Sequence, residues 1–357
     1  MTTARKWLRF FMVCQCFALL SCAYPIKDQE NLNGFIDHMV EAHRFDEAEL
    51  HDLFDNIELD ESIIKKISKP SEALPWHKYR KIFLKVPRIR AGAQFWHDHA
   101  ETLAAVEKKT GVPPEIIVAI IGVETFYGKH MGNYRVIDAL ATLAFLYPPR
   151  SQFFRRELEN FLLLCRDGHI DPLKPTGSYA GAMGMPQFMP SSYRNYAIDF
   201  NKDNYTDIWQ NPDDVIASIG NYFAKHGWQK GQPVAYLLRD NGHKSVKTLS
   251  LLKEDLSLIK SNATNPNIST PLLSTNKAKI IAFEQENGEE LWATLDNFYV
   301  ITRYNKSPLY AMAVYQLSLA ISNFYFTSSF SSPYEKDHYF AFHPGAGRMF
   351  KPADQNH

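Results

Sequence analysis

Along this chain, apolar residues recur every three or four positions in stretches separated by polar breaks rich in Pro, Gly, Asn and Ser, which predicts helices joined by loops. In residues 32–110 the apolar positions include Phe35, Met39, Phe45 and Leu50, then Ile57, Ile63, Ile64 and Ile67. Trp76 to Lys109 reads as two amphipathic helices broken at Pro87, bearing Tyr79, Phe83, Phe95, Trp96, Leu103 and Val106. Gly111 closes that run, and Pro113-Pro114 opens the next helix. From Pro113 to Trp228 helical runs alternate with loops and show no period-two strand. Between Gly231 and Leu295 the texture changes to short runs, Val234–Leu238 and Lys279–Phe283, among Asn, Ser and Gly, which predicts short strands. Residues 261–276 read as an extended loop. Helical patterning resumes at Tyr310 and continues to about Phe324. The expected fold class is mainly α (α+β): a helical domain interrupted by a small β insertion, followed by a mobile tail with no assigned function.

The N-terminus predicts export. Arg5, Lys6 and Arg9 precede an apolar run from Phe10 to Leu20, too short to span a bilayer, which then meets Ser21-Cys22. Leu19-Leu20-Ser21-Cys22 resembles a lipoprotein cleavage site, making Cys22 the expected lipidated N-terminus; the alternative is an ordinary cleaved signal with an incidental cysteine. Ala23 lacks the aspartate of inner-membrane retention, so a periplasmic protein anchored to the outer membrane is expected. Cys14 and Cys16 leave with the signal, and Cys165 in an apolar run reads as a buried small hydrophobe.

Composition narrows the class. Hydrophobic residues at 45% and charged residues at 22% give no reason to expect bulk disorder. The whole chain is formally neutral; without residues 1–21, 36 basic groups face 39 acidic ones, a poor match for nucleic acid.

Candidate chemistry centres on Glu124, at the end of Ile116-Ile117-Val118-Ala119-Ile120-Ile121-Gly122-Val123, a helix apolar almost all round. Desolvation there raises a carboxyl's pKa and suits a general acid. The competing reading is an exposed helix end salt-bridged to Lys129 or Arg135. Downstream, residues 177–193 are too rich in small and polar groups for a core helix and too apolar for a solvent loop. They suit a cleft wall in which Ser178 and Gln187 offer donors and acceptors.

The blocks GVETFYGKHMG and IDALATLAF, then GSYAGAMGMPQFMPSSY, NYFAKHGW and NFYVITRYNKSPLYAMAV, occur in order. Together they resemble the membrane-bound lytic murein transglycosylase B family over residues 30–325. The resemblance implies a lysozyme-like helical core, an α-helical accessory domain and a small β domain. The expected divisions are signal 1–21, N-terminal helical domain and connector 22–110, catalytic core 111–230, β domain 231–296, final core 297–325 and tail 326–357. It also implies cleavage of the β-1,4 bond between N-acetylmuramic acid and N-acetylglucosamine in peptidoglycan strands, with 1,6-anhydro ends and no catalytic cofactor. Glu124 matches the sole catalytic acid. Ser178, Gln187 and Phe188 match groups beside it, and Tyr79, Tyr222, Tyr304, Asn305 and Tyr310 fall along the glycan cleft. Pro149-Arg150 falls where the family often has two arginines and Phe153 where it usually has tyrosine, departures that bear on subsite details and not on the reaction. A monomer is expected. The rival readings are a water-using lysozyme-type hydrolase and a non-catalytic peptidoglycan-binding lipoprotein.

Asp199, Asn201, Asp203 and Tyr205 alternate as in the opening of an EF-hand calcium loop. Asn204 takes the usual glycine position and Gln210 that of the closing glutamate. The family's longer loop implies closure by Asp214, with Asp213 a rival, so a structural Ca2+ is expected against the alternative of a solvated turn.

Overall fold

The computed structural model describes residues 29–68, 74–238 and 278–328. The signal segment 1–21, Cys22, the loop 261–276 and the tail beyond residue 328 lie outside the described residues. The chain separates into two compact units between Leu59 and Asp60.

In the first unit, helix α1 (Gln29–His43) buries Leu32, Phe35, Ile36 and Met39, one stripe at helical spacing. Helix α2 (Glu47–Asp55) begins at Asp46, whose carboxylate accepts the Glu49 N–H at 2.9 Å. The Phe54 ring meets the Phe35 ring edge-on at 5.9 Å.

The second unit is built around α7 (Pro114–Thr125), in which every residue from Ile116 to Val123 is buried. It packs against α5 (Val86–Asp98), α6 (Ala100–Thr110), α11 (Pro212–Lys225) and α13 (Pro308–Ser328). A helix apolar all round needs neighbours on all sides, and these supply them. Around this core lie α3 (Glu61–Ile67), α4 (Trp76–Phe83), α8 (Val136–Leu146), α9 (Ser151–Asp167), α10 (Pro190–Tyr196) and α12 (Asp296–Tyr304). Two-residue strands β1 (Tyr134–Arg135) and β2 (Thr176–Gly177) pair antiparallel, a contact too short to show as alternation. The small sheet has order β3-β5-β4, all antiparallel, from β3 (Ala235–Leu238), β4 (Lys279–Glu284) and β5 (Glu289–Thr294).

Two expectations change. Trp76 to Thr110 holds three helices, because Pro87 sits in the first turn of α5, where its missing N–H costs nothing, and His99 interrupts the chain again. Helix α13 continues through Ser328, past the expected end near Phe324. Gly111 takes the left-handed conformation (φ 76°) that ends α6. Cys165 is buried as expected, and burial pushes its thiol up to about 12.

Ile120 on α7 has no exposed surface. Ile120→Ala should therefore cost about 2–5 kcal/mol of unfolding free energy; an unchanged urea midpoint would show that this helix is not the core.

Candidate active site

Helix α7 ends one residue after Glu124, and the chain then turns through three successive left-handed residues, Phe126 (φ 52°), Tyr127 (φ 59°) and Gly128 (φ 83°). Such a turn is sterically costly outside glycine and needs outside support. Tyr127 supplies it. Its hydroxyl donates to the Arg88 carbonyl at 2.9 Å, in a notch where a Cβ on Gly92 or Gly122 would lie 2.3 or 2.5 Å from the Tyr127 oxygen. The Thr125 hydroxyl donates to the Met185 carbonyl at 3.0 Å and accepts the Gly128 N–H at 3.0 Å. The end of α7 is thereby pinned on one side to α5 and on the other to the 177–189 segment.

Glu124 itself is only partly accessible. Burial raises its pKa to about 7, against the lowering effect of a hydrogen bond from Tyr310. The Tyr310 hydroxyl donates to Glu124 Oε1 at 2.5 Å. Burial, followed by the neighbouring Glu124 charge, holds the Tyr310 phenol well above its ordinary pKa, so it remains a donor. With Oε1 occupied in this way, Oε2 is the oxygen left to carry and deliver a proton. The exposed, salt-bridged alternative is not realised: Arg135 bonds Asp138 at 2.5 and 3.0 Å, and the Lys129 ammonium lies 5.0 Å from the Phe126 ring centre. No carboxylate is among the groups that shift Glu124. Glu157, another buried acid, spends both oxygens on the Ser191 N–H and hydroxyl at 2.9 and 2.8 Å.

The 177–189 segment folds as short bridges, Gly177 to Met183 and Met183 to Phe188. Gly184 (φ 64°) admits no side chain, since a Cβ would come within 2.4 Å of the Ile208 carbonyl oxygen. Ser178 Oγ accepts the Ala180 and Ala182 N–H groups at 3.3 and 3.0 Å, which leaves its own proton to donate. Gln187 donates through Nε2 to the Met131 and Gly184 carbonyls at 3.1 and 2.8 Å, leaving its side-chain carbonyl as the group it can offer.

The aromatic candidates divide by position. The Tyr304 hydroxyl donates to the Pro186 carbonyl at 2.5 Å, tying α12 to the segment. Phe188 and Tyr222 are 2% and 7% exposed, their rings 5.6 Å apart, with the Tyr222 hydroxyl on the Arg303 carbonyl at 2.7 Å. Both rings pack on Tyr304, with centroids 5.9 and 4.9 Å from its own. Tyr79 is buried beside Phe83 (5.3 Å) and close enough to Tyr310 to raise its pKa. Asn305 is exposed and accepts the Ser307 N–H at 3.1 Å in the turn that delivers Tyr310. Arg150 lies 4.4 Å over the Phe153 ring at the start of α9, and no hydrogen bond or ring contact among the described residues joins that pair to Glu124. Thr125 and Tyr127 escape sequence reading, because one polar residue ending an apolar helix and one tyrosine in a loop carry no spacing signal.

In the 199–214 loop, Asp214 is inaccessible, and its two oxygens accept the Phe200 and Asp207 N–H groups, each at 2.8 Å. Burial raises its pKa, and the Asp199 and Asp203 charges raise it further. Asp213 points elsewhere, 3.6 Å from His99. Asn204 adopts the left-handed conformation (φ 70°) that the glycine position demands. Asn201 bonds Asp203, and the Tyr205 N–H donates to Asp203 at 2.8 Å.

Comparison with known proteins places these features in a family. Residues 27–319 match the family described as the transglycosylase SLT domain. The membrane-bound lytic murein transglycosylase B of Escherichia coli (strain K12) is 41% identical over 310 residues, 82% of each chain. The soluble lytic transglycosylase SltB1 from Pseudomonas aeruginosa is 45% identical with a TM-score of 0.70, covering 82% of this chain and 98% of that one. The Escherichia coli lytic transglycosylase Slt35 in complex with calcium is 40% identical with a TM-score of 0.72, covering 83% and 94%. The chain belongs to the transglycosylase SLT domain family.

Proposed function

We propose that this protein is a lytic transglycosylase of peptidoglycan in which Glu124 acts first as acid and then as base. The observation that carries the reading is a single desolvated carboxyl, with one oxygen held by Tyr310 and the other left to exchange a proton. Two-carboxylate glycoside hydrolysis needs a second acid as base or nucleophile, and none acts on Glu124. A one-acid reaction closes without it. Oε2 protonates the oxygen joining N-acetylmuramic acid to N-acetylglucosamine as the C1–O bond breaks, and the substrate's 2-acetamido group stabilises the cationic centre. The carboxylate then removes the proton of the muramoyl C6 hydroxyl, whose oxygen bonds to C1. The products are a free N-acetylglucosamine end and a 1,6-anhydro ring; Glu124 is again protonated, and no water is consumed. The Ser178 hydroxyl and the Gln187 carbonyl are suited to hold sugar hydroxyl and acetamido groups, with Tyr79, Tyr304, Asn305 and Tyr310 along the same cleft and Phe188 and Tyr222 backing it. Arg150 and Phe153 would serve a more distant subsite.

The 199–214 loop suits a structural Ca2+. The Asp199 and Asp203 charges both act on Asp214, and no cationic side chain pairs with any of the three among the described residues. A hard divalent cation takes such a set of oxygens, completed by Asn201 and the Tyr205 carbonyl. Its role is structural, since among the described residues Asp199, Asn201, Asp203, Tyr205 and Asp214 make no contact with Glu124 and the loop reaches the site wall only through the Ile208 carbonyl on the Met185 N–H. Export with lipidation at Cys22 and outer-membrane anchoring is supported by the N-terminal pattern, and no helix among the described residues is long and apolar enough to cross a membrane.

Glu124→Gln should lower release of anhydromuropeptides from sacculi by orders of magnitude. Mass spectrometry that instead finds reducing ends one water heavier in wild-type digests would make the enzyme a hydrolase. The same variant has a second readout. A carboxyl whose pKa rises from 4.5 unfolded to about 7 folded destabilises the fold increasingly as pH climbs through that window. Glu124→Gln should thus melt above wild type at pH 8 and alongside it below pH 5.

The pH profile tests the Tyr310 contact. Activity needs protonated Glu124, so kcat/KM falls as pH rises through about 7. Tyr310→Phe removes a bond that favours the anion, and the falling limb should move to higher pH; a shift the other way would contradict the assigned donor.

Millimolar Ca2+ should raise the melting temperature relative to chelator, and Asp203→Asn should abolish most of that gain. Equal melting with and without the ion would leave the loop a polar turn.

A further inference from the structure

Phe126, two residues beyond Glu124, is ringed by basic groups. The Arg88 guanidinium carbon lies 5.2 Å from the Phe126 ring centre and 5.2 Å from that of Phe83. The Lys129 ammonium stands 5.0 Å from the Phe126 ring centre, and the His130 ring is 6.1 Å away. Arg88 is half-buried; Nη1 donates to the Ile82 carbonyl at 2.8 Å, and Nε is shut off from solvent without a partner. Among the described residues no carboxylate pairs with Arg88 or Lys129. A desolvated guanidinium is normally matched by an anion, because aromatic faces return only part of its hydration.

The neighbours of this unmatched charge border the reaction centre. Phe126 follows Thr125, whose hydroxyl reaches Met185 in the 177–189 segment. Phe83 packs on Tyr79, which acts on the Tyr310 that holds Glu124. Arg88 is nevertheless not among the groups that shift Glu124. Its charge therefore lies beside the acid's surroundings and is not directed at the acid.

We propose that Arg88 and Lys129 form an anion subsite for a carboxylate carried on the lactyl arm of muramic acid. The inference rests on the glycan reading above and adds a specificity device to it. Muramoyl residues bear that arm and N-acetylglucosamine does not, so the subsite sets which sugar lies on which side of Glu124. The carboxylate has two sources: the attached stem peptide, or the bare lactyl acid once the peptide is removed. With Nη1 on the Ile82 carbonyl and Nε closed to solvent, Arg88 keeps Nη2 as its donor to either carboxylate, and Lys129 offers an exposed ammonium.

The test measures binding in the Glu124→Gln background, where glycan is held but not cut. Three ligands are titrated calorimetrically: peptide-bearing glycan strands, peptide-free strands with the lactyl acid exposed, and neutral chitooligosaccharide. Adding Arg88→Gln should weaken binding of charged strands relative to chitooligosaccharide by about tenfold, the scale of one charge-assisted hydrogen bond. Loss confined to peptide-bearing strands assigns the carboxylate to the peptide, loss confined to peptide-free strands assigns it to the arm's own acid, and loss on both shows that the subsite accepts either. An equal fall on all three, or none, overturns the subsite. Arg88→Lys should restore part of the preference, and Lys129→Gln provides the same test at an exposed position should Arg88→Gln fail to fold. Product analysis of the Glu124-intact enzyme is run beside it, so missing anhydro ends would fault the reaction and leave the binding result to be judged on its own.

Discussion

A carboxyl at the end of an apolar helix is held between two opposed effects. Desolvation by the packed end of α7 favours the neutral acid, while one hydrogen bond from Tyr310 favours the anion. Either acting alone would unfit Glu124 for both halves of the proposed reaction. With burial alone the conjugate base would be too costly to form; with stronger hydrogen bonding the proton would already be lost at neutral pH. A pKa near 7 lets the group give a proton and then take one, which a mechanism without a second carboxylate requires.

Much of the remaining architecture serves to keep that balance fixed. Tyr310 reaches Glu124 from α13, so the acid's hydrogen bond depends on a helix that the chain adds only after the small sheet. Three side-chain bonds converge on the 177–189 segment: Thr125 to Met185, Gln187 to Met131 and Tyr304 to Pro186. They spend polar side chains on backbone carbonyls, and what remains free is limited to single functions, a proton on Ser178 and a carbonyl on Gln187. Rigid backing by buried Phe188 and Tyr222 limits how far these groups can drift, and preorganised donors cost no rearrangement during reaction.

The parts of this arrangement legible in the sequence are those with periodicity or unusual company. The buried α7 announces itself because eight consecutive apolar or small residues leave no solvent face, and Glu124 stands out against them. Val234–Leu238 and Lys279–Phe283 show as short apolar runs, whereas β5, Glu-Glu-Leu-Trp-Ala-Thr, has no alternation to mark it. The extra break at His99 is also silent, because neither Gly nor Pro announces it. Long-range hydrogen bonds are less legible still. Resemblance placed Tyr310 along a cleft, but nothing in the string around it says that its hydroxyl meets a residue 186 positions earlier. The Tyr127 peg depends on two glycines on different helices being bare, a relation that exists only once α5 and α7 have packed.

The placement of positive charge follows from the same balance. An enzyme for an anionic polymer gains from cations in its groove, yet a cation near Glu124 would defeat the acid. At 4 Å and an effective dielectric of about 20, a unit charge is worth about 4 kcal/mol, roughly three pK units, enough to return a carboxyl to its ordinary range. Arg88 resolves the conflict by position: held between Phe83 and Phe126 and bonded to the Ile82 carbonyl, it borders the site without appearing in the acid's electrostatics. Aromatic faces suit this task because they steady a cation without neutralising it, as a carboxylate partner would, and so its charge stays available to a substrate anion.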